Sequence, residues 1–435
     1  MTPDSLAKLL TVDAWELLGA LPPYDSATAH AQLQELRKAG IEPDLAAAMM
    51  TQSRLRAAAV AKFGSFAQGL LLSQDGLEQA TRLIVGALHA RRYKAAGCTH
   101  IADITCGIGA DSLAFAAAGL DVLATDIDEV TATMATVNLR HFPQARVRHM
   151  DGLTVDLLAE GIDGVFADPA RRTAGKRIFD PNHYAPPLDA VWDLRRAVPA
   201  LGIKVGPGIP HQGLPADAQV QWVSVDGDVV EAGLWFGPLA QDGPGRSAAI
   251  VTTSSTADGQ VVTGMREMQQ DGPDGAQVNT GPLGDYLYEP DGAIIRAGLV
   301  AEAAQELGGV LIDPTIAYIT SDSLGAAVPG HSGGSELEST SDAAAAGAGI
   351  GAGKKPAAPI ATGYRVLDVI PLKVKLLKAY LRERNVGRVT IKKRGTSITP
   401  EQLRPQLALH GSQEATVVLT RIAGQHSAII VEPLP

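Results

Sequence analysis

ADITCGIGADSLAFAAAGLDVLATDID, residues 102–128, reads as a strand, a glycine turn, a helix and a second strand ending in aspartate. Gly107 and Gly109 follow the apolar run directly and precede an alanine-rich helical stretch. A glycine turn lets the backbone approach a ligand closely, and the helix N-terminus beyond it favours negative charge. A dinucleotide site would require G-x-G-x-x-G, the third glycine packing helix on strand. Here the pattern is D-x-T-C-G-x-G, and Ser112 stands where that third glycine would be. The opening acid, Asp103, is unfavourable beside a pyrophosphate. It is well placed beside a cation.

Working outward, the period continues. Asp126 ends the second strand 17 residues after Gly109, and Asp151 ends a third strand, RVRHMDG. Three aspartates at successive strand ends line the carboxyl edge, where open α/β sheets bind ligands. Alone, each is weak: such turns are often simple connections, and strand-end aspartates often cap the next helix. Their ordered recurrence points to S-adenosylmethionine. Asp103, Thr105, Gly107 and Gly109 would face its amino-acid end, Asp126 with Ile127 its ribose, and Asp151 its adenine amine.

A fourth strand, GVFADP, and a fifth, LGIKVGPGI, follow. The segment VQWVSVDGDVVEAGLWFG then holds two strands joined by an Asp-Gly turn. Strands alternating with helices predict an α/β, doubly wound Rossmann-like sheet, closed here by an antiparallel hairpin as in methyltransferases. The stretch PHQGLPADAQ is too short and broken for the helix normally found before that hairpin. Residues 1–97 read as an N-terminal helical region, with apolar periodicity in Ala14–Leu21, Ala29–Ala39, Leu45–Val60 and Leu77–Ala90. Asp75 and Glu78 suggest a capping box opening the last of these. Residues 98–323 form the expected methyltransferase domain with a β-rich extension. Residues 324–360, rich in Ala, Gly, Ser and Pro, read as a flexible linker, and 361–435 as a small basic α+β domain. The linker's GAGIGAGK lacks the glycine spacing and the leading strand of a phosphate loop.

At 435 residues the chain exceeds one hydrophobic core. Two cysteines, Cys98 and Cys106, exclude a disulfide framework or a four-cysteine zinc site, and no metal is expected. The N-terminal residues lack a signal-peptide build, and no run of about 18 apolar residues could span a membrane, so a cytoplasmic protein is expected. The net charge of −10 is uneven. From Tyr364 onward 12 Lys/Arg face 5 Asp/Glu, leaving 25 against 42 elsewhere. Any polyanion would be met by the basic tail.

The fourth strand ends in Ala167-Asp168-Pro169-Ala170-Arg171-Arg172. This resembles the D/N-P-P-Y/W motif of amino methyltransferases, whose acidic or amide side chain accepts hydrogen bonds from an exocyclic amine. Asp168 and Pro169 match. Ala170 and Arg171 replace the second proline and the stacking aromatic, leaving Arg171 or Arg172 to stack on a base or hold a phosphate.

With ADITCGIGADS, ATDID and ADPARR in place, the centre resembles bacterial class I methyltransferases related to the trimethylguanosine-synthase group, which methylate a guanine amine. Lys62-Phe63-Gly64 and Leu77–Thr81 are similar to that group's upstream segment, which lies against the cofactor. The residues from Tyr364 onward resemble the THUMP-like domain of such bacterial proteins. That resemblance implies an RNA substrate, tRNA or rRNA, with Lys392, Lys393 and Arg394 beside a glycine turn as phosphate contacts. Lys373, Lys375, Lys378, Arg382 and Arg384 add helical charge. The expected function is transfer of a methyl from S-adenosylmethionine to a base nitrogen in RNA. The rivals are a small-molecule methyltransferase and a catalytically inactive cofactor-binding RNA protein; an NAD oxidoreductase is disfavoured by Asp103. The oligomeric state is left open.

Overall fold

A computed structural model describes residues 2–170, 184–256, 259–325 and 357–434, and the backbone of 172–173 and 176–177. Six helices precede the first strand: α1 (Pro3–Leu9), α2 (Val12–Ala20), α3 (Ala29–Lys38), α4 (Pro43–Phe63), α5 (Gln74–Gln79) and α6 (Leu83–Ala95). The single helix expected over Leu77–Ala90 is in fact two. Ser73, not Asp75, caps α5, accepting from the Gly76 N–H at 3.0 Å. The Lys62 ammonium donates to the carbonyls of Leu77, Glu78 and Ala80 at 2.7–2.9 Å. Those carbonyls would otherwise continue the helix, so a cation at its C-terminus ends it.

The nine strands of the main sheet are β1 (His100–Asp103), β2 (Asp121–Asp126), β3 (Ala145–His149), β4 (Gly164–Ala167) and β5 (Leu201–Val205), followed by β6 (Gln219–Val225), β7 (Asp228–Trp235), β8 (Gly245–Thr256) and β9 (Gly259–Gln269). Their order is β9-β8-β6-β7-β5-β4-β1-β2-β3. Strands β1 to β5 are parallel, and β7 runs antiparallel to both β5 and β6. That is the doubly wound sheet with a closing hairpin, widened by the β8–β9 pair. As expected, residues 206–218 contain no helix. Helices α7 (Ala110–Ala117) and α8 (Glu129–Leu139) follow β1 and β2.

The pleat sorts side chains between two cores. Ala102, Val165, Ala167, Leu201, Ile203 and Val205 enter one. Ile101, Phe166 and Trp235 enter the other, with residues of α6 and α7.

A second sheet of seven strands begins with β10 (Tyr286–Pro290), β11 (Val310–Asp313) and β12 (Ile316–Ser321). It continues with β13 (Ala361–Pro371), β14 (Val386–Lys393), β15 (Gln413–Ile422) and β16 (Gln425–Pro433). Because β10 pairs with β13 along Tyr286–Pro290 and Ala361–Arg365, residue 323 does not separate two sheets. Cross-strand pairing fixes the C-terminal domain to the extension. Of the expected linker, residues 326–356 lie outside the described residues; at its ends the Gly325 N–H donates to Tyr288, and Ile360 is buried. Among the described residues no helix is long and apolar enough to cross a membrane.

Candidate active site

The turn after β1 is built as its sequence demands. Gly107 and Gly109 adopt φ of +56° and +84°, conformations that L side chains rarely accept. The Asp126 carboxylate braces the turn, accepting from the Gly107 N–H at 3.0 Å and the Asp128 N–H at 2.9 Å. Next along the edge, Ile127 is 73% exposed, offering an apolar face at the end of β2. Asp151 is exposed and caps a short turn, accepting from the Leu153 N–H at 3.0 Å. Gly152 permits that turn to pack: a Cβ there would lie 2.2 Å from the Ile104 carbonyl oxygen.

Asp103 is buried, and its Oδ2 accepts from the Ser112 hydroxyl at 2.5 Å. Its Oδ1 is buried without a hydrogen-bond partner among the described residues. Burial raises the carboxyl to about 7, and the Asp111 and Asp168 charges add to the rise against the pull of Ser112 and the Thr105 N–H. A buried, unpartnered carboxylate oxygen needs a cation or donor. The amino group of S-adenosylmethionine fits that need, so Asp103 would hold it, with Asp126 and Ile127 meeting the nucleoside and Asp151 beyond them.

Lys62 and Phe63 sit behind this edge. All three Lys62 protons go to the carbonyls that end α5, and burial lowers its ammonium to about 8, with Lys204 and Arg82 adding repulsion. Phe63 packs in the core with Leu77 and Ile108. Both support the segment over the turn from within.

The end of β4 lies against the same turn. The Asp168 N–H donates to Thr105 Oγ1 at 2.6 Å. Pro169 is buried, and Ala170 exchanges backbone hydrogen bonds with Ala185 at 2.8 and 3.1 Å. Arg171 falls outside the described residues. Arg172 is placed only as backbone, in a two-residue pairing of Arg172–Thr173 with Lys176–Arg177.

Sequence reasoning missed a buried charged row beside Asp168. Lys204, the penultimate residue of β5, contacts the Asp168 carboxylate and donates to the Thr81 hydroxyl at 2.7 Å. Thr81 in turn donates to Asp111 at 2.7 Å. His89 of α6 bridges Asp111 at 2.9 Å and Glu231 of β7 at 2.6 Å. The available signal was one lysine in an otherwise apolar strand, LGIKV, and one glutamate in DVVEAGLWFG.

In the C-terminal domain the three expected phosphate contacts divide. Lys392 pairs with Glu289 at 2.6 Å and Arg394 reaches the same carboxylate at 3.4 Å. Both are occupied by β10. Lys393, between them, is exposed. Lys373, Lys375, Arg382 and Arg384 are exposed on or beside helix α9 (Val374–Glu383), while Lys378 is half-buried and donates to the Gln406 carbonyl. Among the described residues no group of His, Cys, Asp and Glu could hold a metal ion.

Comparison with known proteins agrees with this architecture. Residues 361–433 match the THUMP domain-like family, and residues 2–59 match a domain of unknown function, DUF8688. The chain is 29% identical over 394 residues to an uncharacterized S-adenosylmethionine-dependent methyltransferase of Mycobacterium tuberculosis, in strains CDC 1551 and H37Rv. That similarity covers 87% of this chain and 94% of the relative. A solved structure from Porphyromonas gingivalis W83, described as a candidate methyltransferase, shares the fold with a TM-score of 0.64 at 18% identity. It covers 95% of this chain and 100% of that one.

Proposed function

We propose that this chain transfers a methyl group from S-adenosylmethionine to a base nitrogen of RNA, a tRNA or rRNA, with an exocyclic amine as nucleophile. The protein is an S-adenosylmethionine-dependent methyltransferase, and S-adenosylmethionine is its cofactor. When bound, the cofactor supplies an electrophilic methyl group. The chain's part is to bind, orient and exclude. Asp103, Thr105, Gly107, Gly109, Asp126, Ile127 and Asp151 form the cofactor edge, with Lys62 and Phe63 supporting it from behind.

One observation carries the assignment of chemistry: the Asp168 N–H is hydrogen-bonded to Thr105 of the cofactor turn. The acceptor at the end of β4 is thereby held one bond from the turn that meets the cofactor. Asp168 accepts from the amine and aims its lone pair, while Pro169 keeps the strand end rigid. Arg171 and Arg172 follow directly and would hold the base or its phosphate. The amine chemistry comes from the likeness of ADPARR to the amino-methyltransferase motif and to the trimethylguanosine-synthase group.

The RNA reading rests on the THUMP-like domain and its basic surface. Exposed Lys373, Lys375, Arg382, Arg384 and Lys393 suit a phosphate backbone. Lys392 and Arg394 would act indirectly, by fixing that surface to β10. A cytoplasmic protein fits this substrate.

The test is labelled-methyl transfer to total RNA from a strain lacking the protein, followed by digestion to nucleosides. Label in a base-methylated nucleoside is expected. Label in ribose would overturn the base-nitrogen assignment, and label only in small molecules would overturn the RNA assignment.

A further inference from the structure

Residues 201–205 of β5 are buried throughout. Leu201, Ile203 and Val205 point into one core, so the pleat turns Lys204 to the opposite face, beneath α6 and α7. An ammonium there must be paired, because removing an ion from water costs several kcal/mol. Lys204 touches the Asp168 carboxylate, the Thr81 hydroxyl at 2.7 Å, the Gln79 carbonyl at 3.5 Å and Asp111 at 3.9 Å. His89 and Glu231 continue the row behind Asp111. From the sheet edge inward the charges alternate.

We propose that Lys204 is a positioning residue for methyl transfer: it holds the Asp168 carboxylate ionised and fixed in orientation, anchored from behind by Asp111, His89 and Glu231. Asp168 then serves as a hydrogen-bond acceptor, and the proton shed by the methylated amine goes to solvent water. The proposal rests on the reading of Asp168 given above.

A row of acids and bases could instead relay protons. The balance of charges argues against it. Burial alone would lower the Lys204 ammonium, but Asp168, Asp111 and Glu231 outweigh burial and raise it above its ordinary value. Burial likewise disfavours the His89 imidazolium, yet Glu231 and Asp111 raise it to about 9. Both cations keep their protons at neutral pH, so the row clamps. Among the described residues, the charged groups bearing on this pair are Asp103 of β1, Asp111 of α7, Glu231 of β7 and Lys62 of α4.

The test uses the full chain and the variants Lys204→Met, Lys204→Arg and Asp168→Asn. Carboxyl 13C titration, with the Asp168 signal assigned by its loss in Asp168→Asn, reads the charge effect without substrate. Removing a touching cation should move the Asp168 midpoint upward by roughly one pH unit or more in Lys204→Met. An unmoved midpoint overturns the proposal. With RNA as substrate, Lys204→Met should lower kcat by about 100-fold at pH 7, with KM and S-adenosylhomocysteine affinity held within about threefold. Its acid limb should move to higher pH. A variant with a lower melting temperature but unchanged kcat and acid limb would make Lys204 merely structural. Should Lys204→Met not fold, Lys204→Arg keeps the charge but displaces it. A fall in kcat at constant KM is then expected, and an unchanged kcat overturns positioning. If the wild type labels no RNA, the substrate reading fails, and the carboxyl titration alone decides whether Lys204 governs Asp168.

Discussion

Thr105 Oγ1 accepts the backbone N–H of Asp168 at 2.6 Å, joining the turn after β1 to the end of β4 by one hydrogen bond. Thr105→Val keeps the shape and removes the acceptor. A half-buried amide left unpaired costs about 1 kcal/mol. The variant should lose that much stability and show lower kcat with nearly unchanged S-adenosylhomocysteine affinity. Urea unfolding and calorimetric titration would check both. Unchanged kcat would remove the coupling from the account.

The proposed role of Asp103 gives cofactor binding a pH signature. Burial raises its carboxyl to about 7, and only the carboxylate can pair with the cofactor's ammonium. Affinity should therefore increase with pH by about tenfold per unit below 7 and level off above it. Asp103→Asn should bind weakly and without this dependence. Calorimetry between pH 5.5 and 8.5 would show it; a flat wild-type profile would contradict the assignment.

His89 predicts the pH dependence of stability. Its imidazolium, flanked by Asp111 and Glu231, is raised from 6.5 to about 9. The folded state binds this proton more tightly than the unfolded chain does. Its stabilisation is complete below about pH 6.5 and is lost as pH rises through 9, roughly 3 kcal/mol in all. Urea midpoints should fall across that window in the wild type and stay nearly level in His89→Gln.

Lys392 and Lys393 are neighbours with opposite expectations. Lys392 is held by Glu289, and partial exposure limits that pair to about 1 kcal/mol. Lys392→Ala should cost stability and leave the salt dependence of RNA binding unchanged. Lys393→Ala should leave stability unchanged and reduce the slope of log affinity against log salt by roughly one. Filter binding over a salt series would separate them; a reversed pattern would refute the division of roles.

The α/β sheet was legible because its signals are local. Apolar runs, the glycine turn and the strand-end aspartates each lie within a few residues, and the Asp-Gly turn marks the hairpin of β6 and β7. The break between α5 and α6 was not, because the lysine that ends α5 comes from α4. The row behind Asp168 was hidden for the same reason. Thr81, His89, Asp111, Lys204 and Glu231 are joined only by folding, and each alone reads as an ordinary polar residue. Lys204 was the exception worth noticing: a lone cation in a strand otherwise buried on both faces. The pairing of β10 with β13 escaped because the intervening low-complexity stretch reads as a boundary. The pairing of Lys392 and Arg394 with Glu289 escaped because that carboxylate lies about a hundred residues upstream.

The most direct measurement of the central claim is the rate of labelled-methyl transfer to RNA from the strain lacking the protein, for wild type and Asp168→Ala side by side. Cofactor affinity should match within about threefold, while the variant's kcat should fall by roughly two to four orders of magnitude. Equal rates for the two proteins would contradict the account, since Asp168 would then have no part in orienting the nucleophile.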